Sequence, residues 1–221
     1  MRKIFWDNPY QHALTTHVAL VDGNQILFDE TIAYSFAGGQ ESDKAFINGL
    51  AIIDSRIDSQ IDGHLIYYTL PEGHGLLKGD EVTMTIDWPR RYRLMRLHFA
   101  AELVLEIVTQ KFNLEKIGAH IAETKARIDF ISDTNISSLF EALLDQYNQI
   151  IKDDKVIQTG YSDVANQRRF WKIDGFAQVP CGGTHVKSTA EVGFVTLKRE
   201  HPGKSKERIE MRLVDDAVPF F

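Results

Sequence analysis

The feature that most constrains the fold of this chain is a change of hydrophobic period at Trp88-Pro89. Before it, apolar and polar residues alternate in short runs: His17-Val-Ala-Leu-Val21, Gln25-Ile-Leu-Phe28, His64-Leu-Ile-Tyr-Tyr-Thr69 and Glu81-Val-Thr-Met-Thr-Ile86. Side chains two apart share one face of a strand, so these runs predict half-buried strands. Asp22-Gly23, Asp62-Gly63 and Lys78-Gly79-Asp80 separate them as turns. After it, Leu94, Leu97, Ala101, Val104, Leu105 and Val108 recur at three and four residues, which predicts a long helix over about 91–111. The expected organisation is a small β-rich, barrel-like domain over 1–88 and a second domain over 89–221.

The second domain reads as α+β. Lys116–Ile121 and Ala126–Phe130 have strand character, and Asp133 or Asn135 is placed to cap a second helix whose apolar face carries Ile136, Leu139, Phe140, Leu143, Leu144 and Tyr147. Val156–Gln158, Lys172–Val179, Val192–Arg199 and Glu207–Val214 are expected to complete one antiparallel sheet. Ser162–Phe170 is short enough for a helical turn. The fold class is therefore α+β: a barrel-like N-terminal unit, then a long helix with an antiparallel sheet.

A chain of 221 residues that is 43% hydrophobic can bury a real core. No charged-then-apolar leader opens the sequence and no apolar run approaches the ~18 residues of a membrane span, so a cytoplasmic protein is expected. A single cysteine excludes an intramolecular disulfide. Its position beside two glycines favours a chemical role over core filling. A net charge of −6 argues mildly against a protein that coats nucleic acid. Two basic clusters stand out on that background: Arg90, Arg91, Arg93 and Arg96 at the helix entrance, and Lys198, Arg199, Lys204, Lys206 and Arg208 near the C-terminus. Charge alone reads equally well as solvation of a helix end and a hairpin.

Two four-residue spacings carry the chemistry. His98 and Glu102 are one turn apart on the predicted helix and so point the same way, and Cys181-Gly-Gly-Thr-His185 is a glycine-rich turn able to point two more donors back at them. Together they predict one four-ligand metal site of His98, Glu102, Cys181 and His185. Taken alone, a His and a Glu four apart are ordinarily a solvated polar pair. His12, His17, His64, His74 and His201 lack a partner at ligand spacing, and His120, in an apolar strand, reads as a buried structural histidine.

The order Ser35-Phe-Ala-Gly-Gly-Gln-Glu-Ser-Asp43, basic helix entrance, His98-x-x-x-Glu102, Cys181-Gly-Gly-Thr-His185 and Lys206-Glu-Arg-Ile209 resembles the AlaX-type alanyl-tRNA editing proteins over nearly the whole chain. These are free-standing relatives of the editing domain of alanyl-tRNA synthetase, and the second half is also similar to the additional domain of threonyl-tRNA synthetase. The resemblance implies a trans-editing hydrolase that removes serine or glycine from mischarged tRNA(Ala) at a zinc site. His98, Cys181 and His185 match the family's ligands, and Gln40 matches the glutamine of its Gly-Gly-Gln segment, which is implied to act near the substrate. Glu102 departs from it: the family has His-x-x-x-His, and a small hydroxyl residue where this chain has Phe99.

A carboxylate is an acceptable zinc ligand, and as the variant ligand Glu102 is the member expected to leave the metal during turnover, so Gln40 and Glu102 form the expected catalytic pair. The backbone of Gly38 and Gly39, together with Phe99 and Thr184, is expected to contact the substrate. Arg90, Arg91, Arg93, Arg96, Lys204, Lys206 and Arg208 are expected to hold tRNA phosphates. Two other readings stand beside this one: a non-catalytic tRNA-binding or structural-zinc module, and a zinc hydrolase of another aminoacyl ester.

Overall fold

The computed structural model of the chain describes residues 1–58 and 64–215; the expected Asp62-Gly63 turn lies outside them. In chain order the elements are β1 (Arg2–Lys3), α1 (Ile4–Asp7), β2 (Ala13–Asp22), β3 (Gln25–Phe28), β4 (Glu30–Thr31), β5 (Ala45–Ile47), β6 (Leu50–Ala51), β7 (Asp54–Asp58), β8 (Leu65–Thr69) and β9 (Glu81–Ile86). There follow α2 (Trp88–Phe112), β10 (Glu115–Ile121), β11 (Ala126–Ile131), α3 (Phe140–Lys152), β12 (Gln158–Asp163), β13 (Arg168–Ile173), β14 (Ala177–Pro180), α4 (Thr189–Val192), β15 (Val195–Gly203) and β16 (Lys206–Leu213).

The N-terminal strands form a curled antiparallel half-barrel in the order β6-β5-β9-β2-β3-β8-β7. The curl comes from β2, whose first half, Ala13 to His17, pairs with β9 and whose second half pairs with β3, with a register break between Val18 and Leu20. A bulge of this kind bends a strand and sharpens its twist. Ile26, Phe28, Ile47, Ile66, Tyr68 and Met84 fill the concave side.

Helix α2 begins three residues before the expected start. Asp87 caps it by accepting from the Arg90 amide (3.1 Å), and Pro89 sits in the first turn, where no backbone N–H is needed. Proline here opens the helix as well as closing the strand pattern. At 25 residues α2 is about 37 Å long by the helical rise, and it is buried on every side between Tyr92 and Val108, which makes it the axis of a second core. One side packs on the sheet β10-β11-β16-β15, the other on α3 and α4.

Three expectations are corrected. The C-terminal strands form two antiparallel sheets, the four-stranded one and a three-stranded one, β12-β13-β14. Ser162–Phe170 is the hairpin between β12 and β13, because Arg169 and Trp171 alternate inward on a strand. Asn135 caps a single 3₁₀ turn, Ile136–Leu139, that leads into α3.

The basic helix entrance is internal cement. Arg91 is fully buried, paired with Asp43, and donates to the carbonyls of Ile32 (2.7 Å) and Pro9 (3.1 Å). Arg96 is also buried and donates to the carbonyls of Val192 (3.1 Å) and Asp215 (2.6 Å). Arg90 bridges Glu41 and Glu123, both at 2.7 Å, and Arg93 reaches Glu123 at 2.5 Å. A guanidinium taken out of water must be paired: carboxylates of the flanking loops hold Arg90, Arg91 and Arg93, and backbone carbonyls of α4 and the C-terminal segment accept from Arg96. The exposed phosphate-binding row expected of Arg91 and Arg96 is not there.

Candidate metal centre

His98 and Glu102 project from adjacent turns of α2 towards the loop that follows β14. That loop is anchored where Cys181 N–H donates to the Arg169 carbonyl (3.0 Å), extending the sheet by one rung before the chain turns back through Gly182 and Gly183. His98, Cys181 and His185 offer donor atoms that all lie within 4.8 Å of one another. Cys181 Sγ is 3.5 Å from His98 Nε2 and 3.3 Å from His185 Nε2. Glu102 Oε1 is 3.4 Å from His98 Nε2 and 3.8 Å from Cys181 Sγ.

These spacings test the fit to a metal ion. Donors about 2.0–2.3 Å from a tetrahedral zinc lie roughly 3.3–3.8 Å from one another. These four separations fall in that interval, and thiolate with imidazole is a donor set zinc takes; the mutually close group is His98, Cys181 and His185, with Glu102 beside it against His98 and Cys181. The residues present therefore fit a zinc-sized ion with nitrogen and sulfur ligands.

The half-barrel supplies the support. Gly39 has φ +91°, and a Cβ there would stand 2.8 Å from the Ala119 carbonyl oxygen, so only glycine lets this turn lie against β10. Ile121 N–H donates to Gly39 O (2.8 Å) and Glu41 N–H to Ile121 O (3.0 Å), clamping Gln40 between them. Gln40 has no exposed surface. Its Oε1 accepts from the Thr184 amide (3.2 Å), which fixes the orientation of the side-chain amide, and its Nε2 donates to Thr184 Oγ1 (2.9 Å). The His98 Nδ1 that lies 2.6 Å from the same Oε1 must therefore carry a proton and donate it. Nε2 is left facing Cys181. Gly183 passes so close that a Cβ would come within 1.8 Å of His98 Cε1.

The electrostatics follow from burial among mutual charges. Burial alone would lower the His98 pKa, but the Cys181 thiolate and the Glu102 carboxylate raise it to about 10. Burial would raise Cys181, and the neighbouring His98 and His185 instead lower it to about 6. Glu102, against its burial, is held at about 2 by His98, Trp171 and His185. Without a metal the cluster is an internal ion set of thiolate, carboxylate and imidazolium.

A cleft of about 300 Å³ opens onto this cluster, lined by Tyr34, Ala37, Gly38, His98, Glu102, Lys116, Pro180, Cys181, Gly182 and Gly183. Gly38 lines it as expected. Gln40, Phe99 and Thr184 do not: Gln40 and Thr184 are bonded to each other behind His98, and Phe99 is fully buried with its ring edge-on to Trp171 (5.1 Å) and to His185 (5.4 Å). They support the site from behind. His120, expected buried, is 38% exposed in its side chain and lies 3.2 Å from Glu41. Lys204 and Lys206 are exposed at the β15–β16 turn without an ion pair among the described residues, whereas Arg208 pairs with Asp129 (2.6 Å) and Glu200 (3.3 Å).

Lys116, Tyr34 and Trp171 were not singled out from sequence. Lys116 is exposed, lines the cleft and has no ion pair among the described residues. Its only signal was a cation beside Gly118, where the register of β10 shifts. Trp171 donates Nε1–H to Glu102 Oε2 at 2.8 Å, a hydrogen bond across 69 positions that no local pattern announces.

Residues 169–210 match a family model described as the threonyl and alanyl tRNA synthetase second additional domain. Over almost its whole length the chain is 32% identical to the alanyl-tRNA editing protein AlaX-M of Pyrococcus horikoshii, covering 96% of this chain and 97% of that one. It is 29% identical to AlaX-M of Saccharolobus solfataricus, with 94% and 96% covered. An alanine--tRNA ligase of Methanococcus aeolicus is 26% identical over 94% of this chain, which spans 25% of that larger protein.

Proposed function

The chain belongs to the family of AlaX-type alanyl-tRNA editing proteins, and we propose from that membership that it is a trans-editing hydrolase that frees serine or glycine from mischarged tRNA(Ala). One observation carries the reading to this chain: the donor atoms of His98, Cys181 and His185 lie within 4.8 Å of one another, and two of the three, His98 and Cys181, line an open cleft. Zinc held by these three, with Glu102 as a fourth donor that gives up its place, would supply Lewis acidity to the ester carbonyl or to water.

The chain's own residues do the rest. Gln40 holds His98 in the tautomer that turns Nε2 to the ligand set. Gly38 brings backbone close to the space where the aminoacyl ester would lie, since no Cβ stands between them. An aminoacyl ester is already activated, so orienting it against one water and stabilising the developing oxyanion is sufficient chemistry. In the hydrolysis, the oxygen of water bonds to the acyl carbon, the bond from that carbon to the ribose oxygen breaks, and the ribose hydroxyl recovers a proton.

For the nucleic acid, Lys116 at the cleft and Lys204 and Lys206 at the β15–β16 turn are the unpaired cations the reading uses. In the ladder Lys116 stands opposite Phe130, which stands opposite Glu207. Two strand spacings of about 4.8 Å therefore separate the backbone of Lys116 from the strand that carries Lys206. Lys206, one residue from Glu207, faces the other side of that sheet from Lys116, so Lys116 is the cation at the cleft itself. Residues 1–88 are read as the barrel-like unit and 89–221 as the editing domain, supported by two separate hydrophobic cores. No helix among the described residues is long and apolar enough to cross a membrane. We propose that the protein works in the cytoplasm, where its tRNA substrate is.

The test is deacylation of Ser-tRNA(Ala), Gly-tRNA(Ala) and Ala-tRNA(Ala), with metal content measured on the same sample. Release of serine or glycine while Ala-tRNA(Ala) survives is the expected result. Absence of release from all three with stoichiometric metal bound would replace the reading by a structural metal module, for which four protein donors would form a closed site.

A further inference from the structure

We propose that Trp171 is the positioning residue that makes Glu102 a one-oxygen fourth donor of the metal centre. The inference rests on the metal reading above and concerns the one position of the donor set at which this chain carries a carboxylate. The indole Nε1–H donates to Oε2 of Glu102 at 2.8 Å, and that bond leaves Oε1 turned to two of the other donors, 3.4 Å from His98 Nε2 and 3.8 Å from Cys181 Sγ. Both oxygens of the carboxylate are thus assigned, one to the indole and one to the cluster.

The indole is itself rigidly held. Trp171 is fully buried at the centre of β13, the middle strand of the three-stranded sheet, packed edge-on by Phe99 and stacked at 6.5 Å with Phe176. The neighbouring strand β14 runs directly into Cys181. One small sheet therefore delivers both the thiolate and the donor that orients the carboxylate, while α2 delivers His98 and Glu102. An indole N–H can only donate, so it is complementary to an oxygen that only accepts and has nothing to offer a protonated ring nitrogen. Outer hydrogen bonds of this kind set the orientation of a first ligand, and losing one typically weakens metal binding about 10- to 100-fold.

Cobalt(II) titration of the metal-free protein tests the proposal, read by the thiolate-to-cobalt charge-transfer band and the d–d bands and needing no tRNA. The expected result is a cobalt affinity reduced about 10- to 100-fold in Trp171→Phe with altered d–d bands, a comparable loss in Glu102→Ala, and no further loss in the double variant. Wild-type affinity and spectrum in Trp171→Phe, or losses that multiply in the double variant, would overturn it. A wild-type protein that gives no cobalt–thiolate band at all overturns the metal reading, and this proposal with it. Should Trp171→Phe not fold, the indole N–H resonances of the wild-type protein decide. Zinc addition should shift the Trp171 signal in wild type and leave it in place in Glu102→Ala; an unmoved Trp171 signal in wild type on zinc addition would overturn the proposal.

Discussion

The side-chain oxygen of Gln40 lies 2.6 Å from Nδ1 of His98, so a residue of the half-barrel sets the protonation of a ligand on the central helix. The donors His98, Cys181 and His185 all follow Trp88 in the chain, and the half-barrel supplies the group that orients one of them. Gln40→Leu removes the acceptor and leaves Nδ1–H of His98 buried without a partner. Zinc affinity, measured by competition with a chromogenic chelator, is expected to fall about 10- to 100-fold.

Gly183→Ala tests how closely the ligand turn approaches the helix. A Cβ 1.8 Å from His98 Cε1 cannot coexist with the present ring position, and both neighbours are structural. The variant is expected to fold with displaced His98, so metal stoichiometry should fall well below one per chain while the far-ultraviolet circular dichroism stays native. Full metal loading would contradict the placement of the ring against this turn.

Cys181 should be an unusually acidic thiol in the metal-free protein. Burial opposes ionisation, but His98 and His185 outweigh it and lower the pKa to about 6, against about 8.5 for a free cysteine. A depressed pKa means the thiolate is present above it and lost as pH falls through it. The rate of iodoacetamide alkylation should therefore hold a plateau from about pH 9 down to about pH 7 and decline through pH 6. Added zinc should suppress the reaction across the range.

Arg91→Ala should be the most destabilising change at the helix entrance. Arg91 and Asp43 both have fully buried side chains, and removing one partner leaves the other charge uncompensated. The expected loss is about 3–5 kcal/mol in urea unfolding. Arg2, whose side chain is 65% exposed in its pair with Asp7, is the control: Arg2→Ala should change stability by no more than about 1 kcal/mol.

Lys116→Ala should raise KM for mischarged tRNA and reduce the dependence of tRNA binding on salt, the slope of log K against log salt falling by about one for each phosphate the protein no longer neutralises. Lys204→Ala/Lys206→Ala should act in the same direction. A slope unchanged in all three positions would remove these lysines from the tRNA surface.

The sequence by itself determined the change from strands to a long helix and the candidacy of His98, Cys181 and His185 as one donor cluster. The period change at Trp88-Pro89, the alternating runs before it, and the spacings His98-x-x-x-Glu102 and Cys181-x-x-x-His185 are local, and local periodicity reports which side chains share a face. What only the tertiary structure decided is which of the remaining residues serve the site. Arg90, Arg91, Arg93 and Arg96 read as an open basic row until the carboxylates of Glu41, Asp43 and Glu123 come into place around the first three and the carbonyls of Val192 and Asp215 around Arg96. Gln40 reads as a catalytic residue and Phe99 as a substrate contact until burial puts them behind His98 and His185. Trp171 carried no signal, and Lys116 none beyond its charge beside Gly118, because a hydrogen bond or a cleft wall is made by chain segments whose separation in sequence says nothing of their distance in space. Charge and hydrogen-bonding capacity are written in the residue type; whether that capacity faces solvent or another buried group is set by the packing of the half-barrel on the helix.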